Sequence, residues 1–233
     1  VRCTTGVWTG SDLPGGVTGN DTSVDGGINL MPTPLRVVDT RELPGKLGAG
    51  KMLTVPIAGA NGVPVDATAA VVSVTAVEPC GDTFLTVWPC GNALPTASMV
   101  NAVAFSIVAN SAVVRLGGGS LCVYSMRPTD VIVDLSGWIA PTGLLSLPVV
   151  PVRLVDTRVG EPQALDAVQR RVGAHQVLTV DVAALAGFDA TATAATVNVT
   201  AVGSDRGGFL SVLPGPCATA ILPPLTYNLN VTA

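Results

Sequence analysis

The amino-acid sequence predicts an all-β protein of two tandem antiparallel β-sandwich units, Ig-like or jelly-roll-like, the second lacking its last strands. Three observations carry that expectation. The runs AVVSVTAV and ATVNVTAV alternate apolar residues with Ser, Thr or Asn at period two and are dominated by Val and Thr, as suits a half-buried pleated surface. Turn residues such as Gly-Asp, Gly-Gly-Gly and Asn-Gly separate such runs at spacings of about ten residues, as in antiparallel sandwiches and barrels. The phrase LRVVDTR at 35–41 returns as VRLVDTR at 152–158, which marks an internal repeat.

Along the chain, an N-terminal segment, 1–34, precedes the first phrase and is a candidate strand donor. The first unit spans 35–140 and closes on VIVDLSGWI (131–139). PTGLLSLPVVP (141–151) reads as a Pro-stiffened linker. In the second unit, 152–233, QVLTVDVAALAG (176–187), ATAATVNVTAV (192–202), GGFLSVLP (207–214) and PLTYNLN (224–230) answer KMLTVPIAG (51–59), ATAAVVSVTAV (67–77), DTFLTVWP (82–89) and PTASMVN (95–101). Only EPQALDAVQRR (161–171) and 183–188 have a brief helical cast, where the second copy carries extra residues. Nothing after NLNVTA answers 105–139, and a sandwich without those strands presents unpaired backbone groups. Three completions remain open: a chain that continues past Ala233, the segment 1–34 folding back, or a strand from a neighbouring chain.

Composition narrows the function classes. Of 233 residues, 48% are apolar and 12% charged, the balance of a folded chain with few solvated helix faces. The net charge is −4, Lys occurs only at Lys46 and Lys51, and the densest cationic cluster is the pair Arg170 and Arg171. That distribution offers no basic stripe to neutralise phosphates, which excludes a nucleic-acid partner. Gly, Pro, Asp, Asn and Thr interrupt every apolar run before the roughly 18 residues a membrane-spanning helix needs. The start at Val1, with neither initiator Met nor a leader, is expected of a processed piece of a secreted precursor.

The cysteines Cys3, Cys80, Cys90, Cys122 and Cys217 form no Cys-x-x-Cys, and the sole histidine is His175, so disulfides rather than zinc are expected. An oxidising, extracellular compartment follows. Cys90 and Cys122 are natural partners within one unit, and Cys217 takes the place of Cys90 in the second. Cys3 sits in VRCTTGVW, which is similar to SLCVY, so Cys3–Cys217 and Cys3–Cys80 both stay open. An odd thiol count leaves one cysteine free or paired between chains.

Taken in order, RVVDTR, LTVPIAG, GVPVDATAAVVSVTA, FLTVWPCG, PTASMVN, SLCVYS and TDVIVDLSGWI resemble the roughly hundred-residue repeat of secreted and surface proteins of actinobacteria and related bacteria. The resemblance covers most of 35–139 and 152–230. It implies extracellular, β-rich accessory units, often in tandem and often attached to peptidases or cell-wall hydrolases, with no established catalytic residues to carry over.

Individual residues are weighed in that light. Asp39 with Arg41, and Asp156 with Arg158, stand two apart and hence on one face of a strand or its end, which suits a structural latch. A carboxylate–guanidinium ligand site is the competing reading. Asp130 and Asp134 suggest calcium only weakly, since strand alternation offers two carboxylates where calcium wants several converging oxygens. His175 lacks a paired Ser or Cys, so nucleophilic catalysis has no support, and paired carboxylates for glycoside cleavage are not singled out. Trp8, Trp88 and Trp138, with Tyr124, are candidates for stacking on sugar rings, set against plain core packing. Asn20, Asn198 and Asn230 head Asn-x-Thr sequons, incidental in a bacterial protein. The expected role is that of a non-enzymatic, cofactor-free extracellular structural or adhesive protein, partnered by itself or a neighbouring chain and completed by strand addition. The alternative is a carbohydrate or cell-wall binding accessory module of a secreted hydrolase.

Overall fold

The computed structural model describes residues 26–146, 150–160, 170–182, 191–212 and 227–231, and in the first unit the segments that alternate Val and Ala with Thr and Ser become strands. The first unit holds eight: β1 (Gly27–Asp39), β2 (Lys51–Pro56), β3 (Ala69–Val77), β4 (Thr83–Pro89), β5 (Val100–Ala102), β6 (Ile107–Arg115), β7 (Ser120–Ser125) and β8 (Asp130–Ala140). They make two four-stranded antiparallel sheets, in the orders β1-β8-β3-β6 and β2-β7-β4-β5. The all-β, sandwich-like architecture expected from the sequence is what these sheets form.

Successive side chains of a strand point to opposite faces, so one row of each strand meets the other sheet. Val72 and Val74 of β3 and Val133 and Leu135 of β8 pack in one apolar cluster with Leu85 of β4 and Val123 of β7. Each is 1% exposed or less, and such burial stabilises by about 1.5–3 kcal/mol per side chain. The opposite row of the first sheet carries polar groups: Ser73 stands across from Asp134 on one side and Ser111 on the other.

β1 begins at Gly27, ahead of the repeated phrase, so residues 27–34 of the N-terminal segment belong to the first sheet. Gly27 lies opposite Ala140 and Leu30 opposite Gly137. Pro32 and Pro34 fall in the register shift between Leu30 and Leu35, where a missing N–H breaks no ladder bond. The linker starts by turning back on β1, through a bridge between Leu144 and Ile28.

The second copy departs from expectation, and the reason lies in strand partners. Residues 176–181 and 191–207 form no strand, although QVLTVD shares the LTV of β2 and 194–202 match β3 at seven of nine positions. β2 bonds only to β7, and β3 lies between β6 and β8. All three partners come from 105–139, the stretch that 152–233 does not repeat. β4 and β5, by contrast, pair with one another inside the repeated stretch, and their counterparts β9 (Gly208–Val212) and β10 (Tyr227–Val231) pair too. The register is conserved: Phe84 lies opposite Asn101 and Leu85 opposite Val100, as Phe209 lies opposite Asn230 and Leu210 opposite Leu229. Residues 161–169 and 183–188, expected to be helical, lie outside the described residues, and 170–171 form no helix.

Candidate functional site

The repeated phrase closes β1. Asp39 caps a single 3-10 turn over Thr40–Glu42, and its carboxylate accepts from the Arg41 backbone N–H at 3.1 Å. Arg41 then folds back, donating from Nε to Oδ1 at 2.8 Å and from Nη2 to Oδ2 at 2.5 Å. Arg36 adds a bond from Nη1 to Oδ2 at 3.3 Å. The Asp39 side chain is 4% exposed whereas Arg41 is 47% exposed, so a buried carboxylate is held by guanidiniums that stay half in water. The hydrogen bonds from Arg41 hold the Asp39 carboxyl below its ordinary value of 3.8, and the bond to Asp39 raises Arg41 in turn.

In the second copy the local part of this clamp recurs. Asp156 accepts from the Arg158 backbone N–H at 3.0 Å, from Nε at 3.0 Å and from Nη2 at 2.8 Å, and from Arg153 Nη1 at 2.7 Å. Bonds from Arg158 hold the Asp156 carboxyl well below the usual carboxylate range. The third member, Arg36 or Arg153, was not among the residues singled out from the sequence. Its signal was present, because an arginine stands three residues before the aspartate in both phrases.

The long-range part belongs to the first copy. Arg36 forks onto Asp134 of β8, at 2.9 Å from Nε and 3.3 Å from Nη2. Thr40, 3% exposed, donates to Asp130 Oδ1 at 3.1 Å and accepts from the Val131 N–H at 2.8 Å, while Lys46 reaches Asp130 Oδ2 at 2.5 Å. Asp130 and Asp134 therefore answer cations and a hydroxyl of the chain itself. Among the described residues no three His, Cys, Asp or Glu side chains converge as a metal site would require. His175 is exposed.

Cys90 and Cys122 form a disulfide closing 32 residues, which constrains the unfolded chain by about 3–4 kcal/mol in the loop-entropy account. Cys80 is an exposed free thiol, and Cys3 and Cys217 lie outside the described residues. The bridge also explains Trp88. Its neighbours Leu85 and Val87 face the core, and Trp88 pairs across the strands with Cys122 on the outward row. Yet Trp88 is 5% exposed. The turn after β4 is tied down by Cys90 and by a bond from Trp88 Nε1 to the Asn92 carbonyl at 3.1 Å, and it covers the indole. Gly117 fits against that turn because a Cβ there would overlap the Cys90 carbonyl oxygen. Burial corrects the stacking candidacy of Trp88: no ring face is open to a sugar. Trp138 packs half-buried against the core, and Trp8 lies outside the described residues. Phe84 and Tyr124 remain half-buried on the outward row, with ring centroids 5.9 Å apart and planes tilted by 38°.

Several exposed apolar side chains line the β6 edge of the first sheet. Val103 is 65% exposed, Phe105 77%, Ile107 43% and Val113 56%, all in β6 or the turn leading into it. Phe105 has φ of 59°, a left-handed backbone that a bulky residue adopts only when the surroundings enforce it. Here its N–H donates to the Pro79 carbonyl at 3.0 Å, and the next residue, Ser106, bonds Val103 O at 2.6 Å. Comparison with protein-family models, with curated proteins and with solved structures returned no match.

Proposed function

We propose that the protein is a non-enzymatic structural or adhesive module of the extracellular space, which works by associating with copies of itself or with a neighbouring chain through its strands. One observation carries this reading: the apolar rim of Val103, Phe105, Ile107 and Val113, held in water on a well-bonded frame. Burying such a rim against another chain is favourable in proportion to the apolar area removed from water. The Cys90–Cys122 disulfide fits an oxidising compartment, and no helix among the described residues is long and apolar enough to cross a membrane. The Asp-Thr-Arg phrase acts as an internal latch, since its charged groups are spent on one another and on β8. Electron microscopy of the purified chain, beside sedimentation over a concentration series, tests the reading. Regular assemblies that grow with concentration are expected, and a monomer at every concentration would refute it.

A second reading, binding of cell-wall polysaccharide, draws on Phe84 and Tyr124, the outward aromatics left partly open to solvent. Sedimentation with purified cell walls checks it, and a protein that stays in the supernatant removes it.

A further inference from the structure

We infer that residues 192–202 of one chain add as a fifth strand to the free side of β6 in a second copy. This rests on the strand-association reading above and names the two partners.

The acceptor is the one unguarded edge of the first unit. Natural sheets blunt their edges with prolines, lysines, bulges or short strands, because an open row of N–H and C=O groups invites another chain. β1 carries Pro32 and Pro34 and two register shifts. β2 has six residues, bounded by Lys51 and Pro56, and β5 has three. β6 has nine, paired with β3 one to one from Ala69 opposite Arg115 to Val77 opposite Ile107, with no shift. It contains no proline, and no charge before Arg115. β10 runs close to β6 but is bonded to β9 in a separate sheet, so β6 remains last in its own.

The donor is a strand sequence without a strand. ATAATVNVTAV (192–202) matches ATAAVVSVTAV (67–77) at nine of eleven positions, differing only at Thr196 for Val71 and Asn198 for Ser73. Val72 and Val74 are 1% and 0% exposed in β3, whereas their counterparts Val197 and Val199 are 45% and 38% exposed. The side chains of β6 already suit this sequence, since β3 is nearly the same sequence and occupies the other side of β6. Val197, Val199 and Ala201 alternate with Thr196, Asn198 and Thr200. One row therefore extends the core-side row of β6, with Val108 and Val114, and the other extends the outward row, where Ser111 lies between Ile107 and Val113. Among the described residues β6 bonds to β3 alone, and the inferred pairing is one between copies. Donor and acceptor are different surfaces, so the contact is heterologous and propagates from chain to chain.

The test uses the full 233-residue chain and two variants, Val113→Lys on the acceptor edge and Val199→Lys on the donor. Both residues are exposed, so neither change opens the core. Each variant is expected to need at least about tenfold more protein to assemble, because a lysine at a strand edge opposes pairing. Mixing the two should restore one productive contact, an intact donor on one chain and an intact edge on the other, and give a capped heterodimer. A synthetic peptide of residues 192–202 should block wild-type assembly, a readout independent of how the variants fold. Assembly by Val199→Lys but not Val113→Lys would indicate β6 pairing with β6 and overturn this inference. Wild-type assembly indifferent to both variants and to the peptide would overturn it while leaving the association reading intact. A wild-type chain that never assembles would overturn both.

Discussion

Around Asp39 one carboxylate takes four hydrogen bonds, three from Arg41 and one from Arg36. Charge-assisted bonds of this kind are worth more than neutral ones, though the water around both guanidiniums weakens them. Asp39→Asn is expected to lower stability by about 1–2 kcal/mol at neutral pH, measured by urea unfolding. The pH dependence has a definite sign. A carboxyl held below 3.8 in the folded protein adds stability that is fully present above that value and is lost as pH falls through the lowered one. The gap between wild type and Asp39→Asn should therefore close in strong acid, and a gap that stays constant to the lowest pH would remove the carboxylate from the account. Arg36 extends the same group to Asp134, so the phrase fastens β1 to β8 as well as to itself. In the second copy Asp156 keeps its local arginines, because those bonds span two or three residues and need no distant strand.

At the scale of elements, strand-forming composition and strand formation come apart. β3 and 192–202 share nearly every residue, yet one is a buried strand and the other is exposed chain. A strand satisfies its backbone only through neighbours, and β3 has two, β6 and β8. Hydrogen exchange on dilute protein should read this contrast directly. Amides of 69–77 are expected to be strongly protected and those of 192–202 to exchange at nearly unprotected rates, from almost the same letters. Equal protection in the two segments would mean that the second copy has found partners within its own chain. The β9–β10 pair makes the converse point, since its two strands are both copied and recover the register of β4 and β5. Cys90–Cys122 works between these levels, closing the turn that buries Trp88 and turning an aromatic on the outward row into a packed one.

At the scale of the molecule, cohesion among the described residues is concentrated in the first unit. The buried apolar cluster draws every one of its members from residues 55–135. A fragment of residues 26–146 should therefore unfold cooperatively with a melting temperature within a few degrees of the full chain, followed by circular dichroism. A large drop would show that 152–233 stabilises the first unit through contacts beyond those described. The period-two runs, the turn spacing and the repeated phrase were enough to predict an all-β fold and most strand positions, because alternation is a local property of the letters. Cys90 and Cys122 were legible as partners for the same reason of copy and position. The start of β1 at Gly27 was not legible, since Pro32 and Pro34 read as breaks until β8 is seen to carry them at an edge. For Trp88 the sequence offered core packing against sugar stacking, and the structure, with its indole buried beside the Cys90 turn, has the former. The sequence by itself determined which segments can be strands and where the two copies begin to match. Tertiary structure alone decided which of them became strands, because a strand's hydrogen bonds are made to residues far along the chain, and among the described residues the first copy has those partners for β2 and β3 while the second has them only for β9 and β10.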